Sequence, residues 1–204
     1  KAGYNVIIPE NVESLCCGMP FTSKGLAEAG AEKRTELESA LMHATKNGTY
    51  PVYMDMSPCV FTLKGHVDDR LALHDPVGFI LERAAGRLEF NRLPETVAIH
   101  ATCSARKMGL DEPLKKLAGM CAEKVVVPHG IECCGWAGDR GFSFPELNAS
   151  ALNGLQEQTK GCAHGYSTSR TCEIGMSLHS GIHYSSIAYL VDRCTTAKKE
   201  AVKS

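Results

Sequence analysis

Lys124-Val125-Val126-Val127-Pro128, followed after a short loop by Ile131-Glu132-Cys133-Cys134-Gly135, is the stretch that decides the fold. It is a β-branched run closed by proline, then a loop, then two vicinal cysteines and a glycine. The same order occurs earlier in the chain, where Asn5-Val6-Ile7-Ile8-Pro9 leads into Ser14-Leu15-Cys16-Cys17-Gly18. Each triplet is followed by a run that carries one cysteine. Pro51-Val52-Tyr53-Met54-Asp55-Met56-Ser57-Pro58-Cys59 ends 42 residues after Cys17, and Gly165-Tyr166-Ser167-Thr168-Ser169-Arg170-Thr171-Cys172 ends 38 residues after Cys134. Val77 to Arg83 then finds an echo in Ser186 to Arg193. Four matching features in one order identify an internal duplication.

The second copy has a head that the first lacks. Thr96-Val97-Ala98-Ile99-His100 reads as a buried strand, and Cys103 follows it at once. The equivalent strand and cysteine of the first copy would lie before Lys1, and the chain opens Lys-Ala-Gly rather than with Met. The expectation is a first repeat over residues 1–93 truncated at its N-terminus, a second over 94–204, and a linker at Gly86 to Glu95. Between the strands, Leu26 to Thr45 carries apolar residues at three- and four-residue spacing, and Pro113 to Ala122 and Pro145 to Gln158 read as helices with proline near the start. Strands alternating with helices predict an α/β fold of two pseudo-repeated Rossmann-like units with parallel sheets. The basic tail from Lys198 to Lys203 reads as a solvated end.

Composition narrows the function classes. Of 204 residues, 44% are hydrophobic and 22% charged, a globular balance. Twenty-two basic against twenty-three acidic residues leave a formal charge of -1, which gives no reason to expect a nucleic-acid or anionic-membrane partner. No apolar run approaches the roughly 20 residues of a membrane span, and no charged-then-apolar leader opens the chain. The ten cysteines are the unusual feature. Vicinal cysteines pair with each other poorly, so metal or redox use in a reducing, cytoplasmic compartment is the better reading than a disulfide framework.

In open parallel sheets, sites form at the carboxyl ends of the strands. Cys103, Cys133, Cys134 and Cys172 are all placed there by the pattern, and they are the candidate ligands of the second repeat. Cys16, Cys17 and Cys59 form the corresponding partial set in the first. Helix N-termini after each loop favour thiolates and bridging sulfides, and Gly135 lets the backbone approach a bulky group. Four thiolates suit an iron–sulfur cluster or a tetrahedral zinc. Cys121 and Cys194 on helices, and Cys162 before a strand, have no counterpart in the other repeat and read as core packing. His100 is placed to hydrogen-bond near the cysteines or simply to end a strand. Arg140 and Arg170 are placed either to offset thiolate charge or to form surface ion pairs. His179 and His183 are four apart, but Gly181 between them predicts a turn. No Gly-x-Gly-x-x-Gly or phosphate-binding loop is present.

A single Cys, then a CCG triplet, then a later Cys, all duplicated, resembles the CCG cysteine-rich domain of heterodisulfide reductases. The stretches from Ser14 to Phe21, Cys133 to Phe142 and Tyr166 to Gly175 are similar to the C-terminal iron–sulfur region of FAD-linked D-lactate dehydrogenases and of glycolate oxidase chains. The resemblance covers nearly the whole chain. It implies a [4Fe–4S] cluster, with FAD and the substrate site upstream in flavin and ferredoxin-like domains of the same polypeptide. It also implies a quinone or cytochrome acceptor and a place peripheral to the inner membrane, without spanning it. One departure matters: the CxxC of heterodisulfide reductase is absent, because Met56 and Ser169 stand three residues before Cys59 and Cys172. That favours an ordinary four-cysteine cluster over the non-cubane one. Two other readings stand beside electron transfer: thiol–disulfide catalysis at the CCG cysteines, and a zinc-binding or structural docking module.

Overall fold

The computed structural model describes residues 1–198, so most of the basic tail lies outside the described residues. Eight strands and ten α-helices alternate along them. The strands are β1 (Val52–Tyr53), β2 (Leu73–His74), β3 (Leu88–Phe90), β4 (Leu93–Ile99), β5 (Ala122–Val126), β6 (His164–Ser167), β7 (Tyr184–Ser186) and β8 (Thr195–Ala197). The helices are α1 (Met19–Thr22), α2 (Ala27–Ala44), α3 (Ser57–Leu63), α4 (Pro76–Phe79), α5 (Cys103–Lys107), α6 (Asp111–Cys121), α7 (Pro145–Ala151), α8 (Leu155–Gln158), α9 (Arg170–Ser180) and α10 (Ile187–Cys194). A π-turn, Ile80–Ala84, prolongs α4. No helix among the described residues is long and apolar enough to cross a membrane.

The expected α/β class is observed. Strands β5-β4-β6-β7 form one wholly parallel sheet, and β1 and β2 form a small parallel pair. Both halves of the chain run through a similar succession: CCG loop, helix, short strand, helix, short strand, helix. β4 is the hub. It pairs along both edges, and Val97, Ala98 and Ile99 at its carboxyl end are buried on both faces. Val97 and Ile99 face Leu114, Leu117 and Ala118 of α6 and Ile187, Leu190 and Val191 of α10. Ala98 faces the other way, toward Trp136, Leu152, Leu155, Met176 and Tyr184. The first repeat contributes Val77, Ile80 and Ala84 to the core of α6 and α10, so the halves share apolar packing. Its own core is smaller, built on Leu37, Leu41, Val52, Leu63 and Leu71.

Two expectations are corrected. The β-branched run Asn5 to Pro9 is not a strand. Val6, Ile7 and Ile8 are 80%, 58% and 68% exposed and pair with no strand among the described residues. The segment Gly86 to Glu95 is not a loose linker either. Its β3 pairs antiparallel with the late strand β8, Leu88 opposite Ala197 and Phe90 opposite Thr195, and β4 begins within it at Leu93. The N-terminal residues instead pack on the end of the first half and reach the second at one point. Lys1 pairs with Asp192 at 2.7 Å, Tyr4 Oη donates to the Arg83 carbonyl at 2.9 Å, and the Arg87 guanidinium covers the Tyr4 ring.

This placement separates two substitutions. Leu117→Ala, fully buried beneath β4, should cost about 2–5 kcal/mol in a urea unfolding titration. Ile7→Ser should stay within about 0.5 kcal/mol of the parent; a loss as large as that of Leu117→Ala would show residues 5–8 to be part of a packed sheet.

Candidate metal centre

Both CCG triplets fold alike, and the reason is local. Gly18 and Gly135 adopt φ of 81° and 74°, a region that favours glycine. A Cβ on Gly18 would strike the carbonyl of Gly30 in α2, and one on Gly135 would strike Leu147 and Asn148 in α7. The triplet therefore lies directly on the backbone of the helix that follows it. This turn aims backbone N–H groups at sulfur. Gly18 N donates to Cys16 Sγ at 3.4 Å, and Gly135 N donates to Cys133 Sγ at 3.3 Å. The N–H groups of Met19 and Trp136 serve Cys17 and Cys134 in the same way.

The downstream cysteines come back onto the triplets. Cys172 lies in the first turn of α9 and Cys59 in the first turn of α3, at helix N-termini rather than at the strand ends themselves. Cys134 Sγ and Cys172 Sγ are 3.0 Å apart and buried. Cys17 and Cys59 make the equivalent pair. Cys103 is the first residue of α5, whose N-cap Thr102 accepts from Ala105 N at 3.1 Å; it is exposed, and among the described residues its sulfur bonds none of the other three. No group of three or more His, Cys, Asp or Glu side chains among the described residues is arranged to hold a metal ion.

Crowded sulfurs set each other's protonation. Cys59 donates to Cys17 and, against the opposing effect of burial, brings the Cys17 thiol down to about 6; the Cys59 thiol is pushed up for the same reason. In the second repeat, Cys133 pulls the Cys134 thiol down, but Cys172 and desolvation outweigh it and leave Cys134 at about 12. Cys133 is raised by Cys134 and by burial. Cys17 and Cys59 thus divide one proton between them, held by Cys59, whereas Cys134 stays protonated; a cation bound to these sulfurs would displace the protons.

The remaining candidates divide. Arg140 Nη2 donates to the Ser23 carbonyl at 2.8 Å, and Lys24 pairs with Asp139 at 2.6 Å, so this loop fastens one CCG turn to the other. Across the same seam, Ser57 N donates to the Thr168 carbonyl at 2.9 Å and α3 packs on α5, with Lys107 over the Phe61 ring. Arg170 pairs at 3.0 Å with Glu173, a buried carboxyl raised chiefly by desolvation. Gly181 ends α9 with φ 73°, so His179 and His183 share no helical face, as the predicted turn required. Cys121 and Cys194 are fully packed at the ends of α6 and α10, and Cys162 lies in the core beside Tyr184. His100 is 2% exposed and is held at about 4 by burial first and the Arg106 charge second.

Sequence reasoning assigned no role to Trp136, Thr168 or Asn148. The Asn148 amide donates to the Cys134 carbonyl and fixes the turn. Trp136 Nε1, Thr168 Oγ1 and His100 Nε2 are buried without any hydrogen-bond partner. In their chemistry, the sulfur donors, the N–H groups directed at them and the unsatisfied polar atoms on the same loops suit a sulfur-rich inorganic group at Cys133, Cys134 and Cys172, although the described side chains are not gathered around a metal position. Position alone could have flagged Trp136, the sole tryptophan, set directly behind a CCG triplet.

Residues 97–172 match the model of the CCG family, described as a cysteine-rich domain. The matched span begins inside β4 and ends on Cys172, so it encloses all four candidate cysteines of the second repeat. The chain matches no curated protein and no solved structure.

Two measurements check this geometry. Gly135→Ala should destabilise the chain by more than about 1 kcal/mol, because it strains φ and strikes α7 together. His100 has a folded value below its ordinary 6.5, so the unfolded chain takes up its proton first as acid is added. Stability should fall as pH drops from about 6.5 toward 4, and His100→Asn should remove that part of the slope in a pH series of thermal melts.

Proposed function

From a chain whose residues 97–172 match a CCG cysteine-rich domain, we propose an iron–sulfur electron-transfer region of a larger FAD-linked 2-hydroxy acid oxidoreductase of the D-lactate dehydrogenase type. The observation that carries the reading is the paired return of a helix-borne cysteine onto each CCG triplet, Cys59 onto Cys17 and Cys172 onto Cys134. Packing alone gives no reason for buried sulfurs to recur at matched helix N-termini. Cys103, Cys133, Cys134 and Cys172 would hold the cluster of the second repeat, residues 94–204. Cys16, Cys17 and Cys59 would form three-quarters of a like site in residues 1–93. Such a group supplies one-electron transfer.

The chain's own part is to set the conditions for that transfer. The glycine turns bring N–H dipoles to the sulfurs, the N-termini of α3 and α9 add partial positive charge, and burial under Trp136, Leu152 and Met176 lowers the local dielectric. The seam through Lys24, Asp139, Arg140 and Ser23 fastens the two loops so that the centres keep a fixed separation. Flavin and hydroxy-acid chemistry belong to upstream domains, and the electrons leave toward a quinone or cytochrome.

The test is iron and acid-labile sulfide on anaerobically reconstituted protein, with zinc counted alongside. About four irons and four sulfides per chain are expected, with a marked loss in Cys134→Ser. A colourless protein that takes up zinc or keeps free thiols would overturn the assignment.

A second reading rests on Cys17 and Cys59. A thiol held at about 6 and hydrogen-bonded to a second thiol suits disulfide reduction. The Cys17 thiolate would attack a disulfide and expel one thiolate. Cys59 would then displace the other, leaving an oxidised Cys17–Cys59 pair and two reduced thiols. In the metal-free protein, Cys17 alkylation by iodoacetamide should rise through pH 6; a midpoint near 9 would remove this reading.

A further inference from the structure

Six buried side-chain polar atoms among the described residues have no hydrogen-bond partner. Glu95 and Asp139 are acceptors whose other oxygens are engaged by Arg193 and Lys24, each at 2.6 Å. The Tyr184 hydroxyl lies by Cys162, its ring against Gly165. The other three, His100 Nε2, Trp136 Nε1 and Thr168 Oγ1, sort one to each loop that carries second-repeat cysteines. His100 ends β4 three residues before Cys103. Trp136 follows Cys134 by two residues and shares its packed cluster with Cys134 and Cys172. Thr168 follows β6 and precedes Cys172 by four. His100 is close enough to Cys133 for the two side chains to alter each other's proton affinity.

A buried donor without an acceptor is costly, and three on the loops that carry one set of cysteines are not a packing accident that a small domain carries lightly. An indole N–H can only donate, a hydroxyl can donate, and a neutral imidazole donates from one nitrogen. The acceptor they lack is absent from the chain itself. In the first repeat, the residues at the corresponding offsets are Met19 and the exposed Asp55, neither of which has a side-chain N–H or hydroxyl to give.

Building on the electron-transfer reading, we infer that His100, Trp136 and Thr168 are positioning residues that donate hydrogen bonds to the sulfur of the group held by Cys133, Cys134 and Cys172. Adding an electron increases negative charge on those sulfurs, so donors stabilise the reduced state more than the oxidised one. They raise the reduction potential of the second centre above what its thiolates alone would give.

The sole tryptophan makes the test direct, since the chain has a single indole N–H signal. In ¹⁵N-labelled full chain, that signal should shift strongly on cluster loading and again on reduction. Thr168→Val, which keeps shape and removes the hydroxyl, should retain iron and sulfide yet show a lower midpoint potential by spectroelectrochemistry. Trp136→Phe should lower it as well, and the double variant further. An indole signal indifferent to loading, with unchanged potentials in a fully loaded Thr168→Val, would overturn the inference and leave the electron-transfer reading standing. Failure of the parent chain to bind iron and sulfide would overturn both.

Discussion

Everything in this molecule hangs on β4 being paired along both edges. A parallel strand has no hairpin partner and must be supported by crossovers on either side. Once β5 and β6 flank Leu93–Ile99, the alternation of Val97, Ala98 and Ile99 assigns each face its helices. The carboxyl end of that strand then has to open where β6 and the CCG loop also open. His100 reaches the neighbourhood of Cys133 through this topology, not through any local affinity. In the first half the described strands β1 and β2 have two residues each, and Val6, Ile7 and Ile8 face solvent.

The site itself is a compromise between packing and charge. Burying several sulfurs beside each other is tolerable while they share protons and accept backbone N–H groups, but the metal-free state is tense, with Cys17 and Cys59 driven to opposite extremes. The CCG glycines make this possible by removing side chains at the one point where the loop touches the following helix. The residues with the least chemistry thus determine where the most reactive ones sit.

Much of this was legible in the sequence, for physical reasons. The duplication, the α/β class and the helices Ala27–Ala44 and Asp111–Cys121 follow from order and periodicity, which are local. The gathering of Cys134 with Cys172 follows from the strand-end rule once the sheet is parallel. The readings that failed depended on partners far along the chain. Val6, Ile7 and Ile8 have strand-forming side chains, yet a strand is a relation and theirs has no second member. The stretch Gly86 to Glu95 reads as a linker because its mate, Thr195–Ala197, is invisible at short range. Trp136 is marked by its place behind the CCG triplet, but Thr168 could not be singled out, since an unsatisfied donor is defined by surroundings that only the fold supplies.

The β3–β8 ribbon carries a consequence for how the chain is made. Its partners, Phe90 and Thr195, are more than a hundred residues apart, and closing so wide a loop is slow unless the intervening sheet has already formed. On the ribosome, residues 88–90 emerge long before 195–197 and must wait, unpaired, through synthesis of the whole parallel sheet. The ribbon is therefore the last seam to close. Until it does, the early half of the chain shows an open backbone edge, which makes that interval the vulnerable one for mispairing between nascent chains.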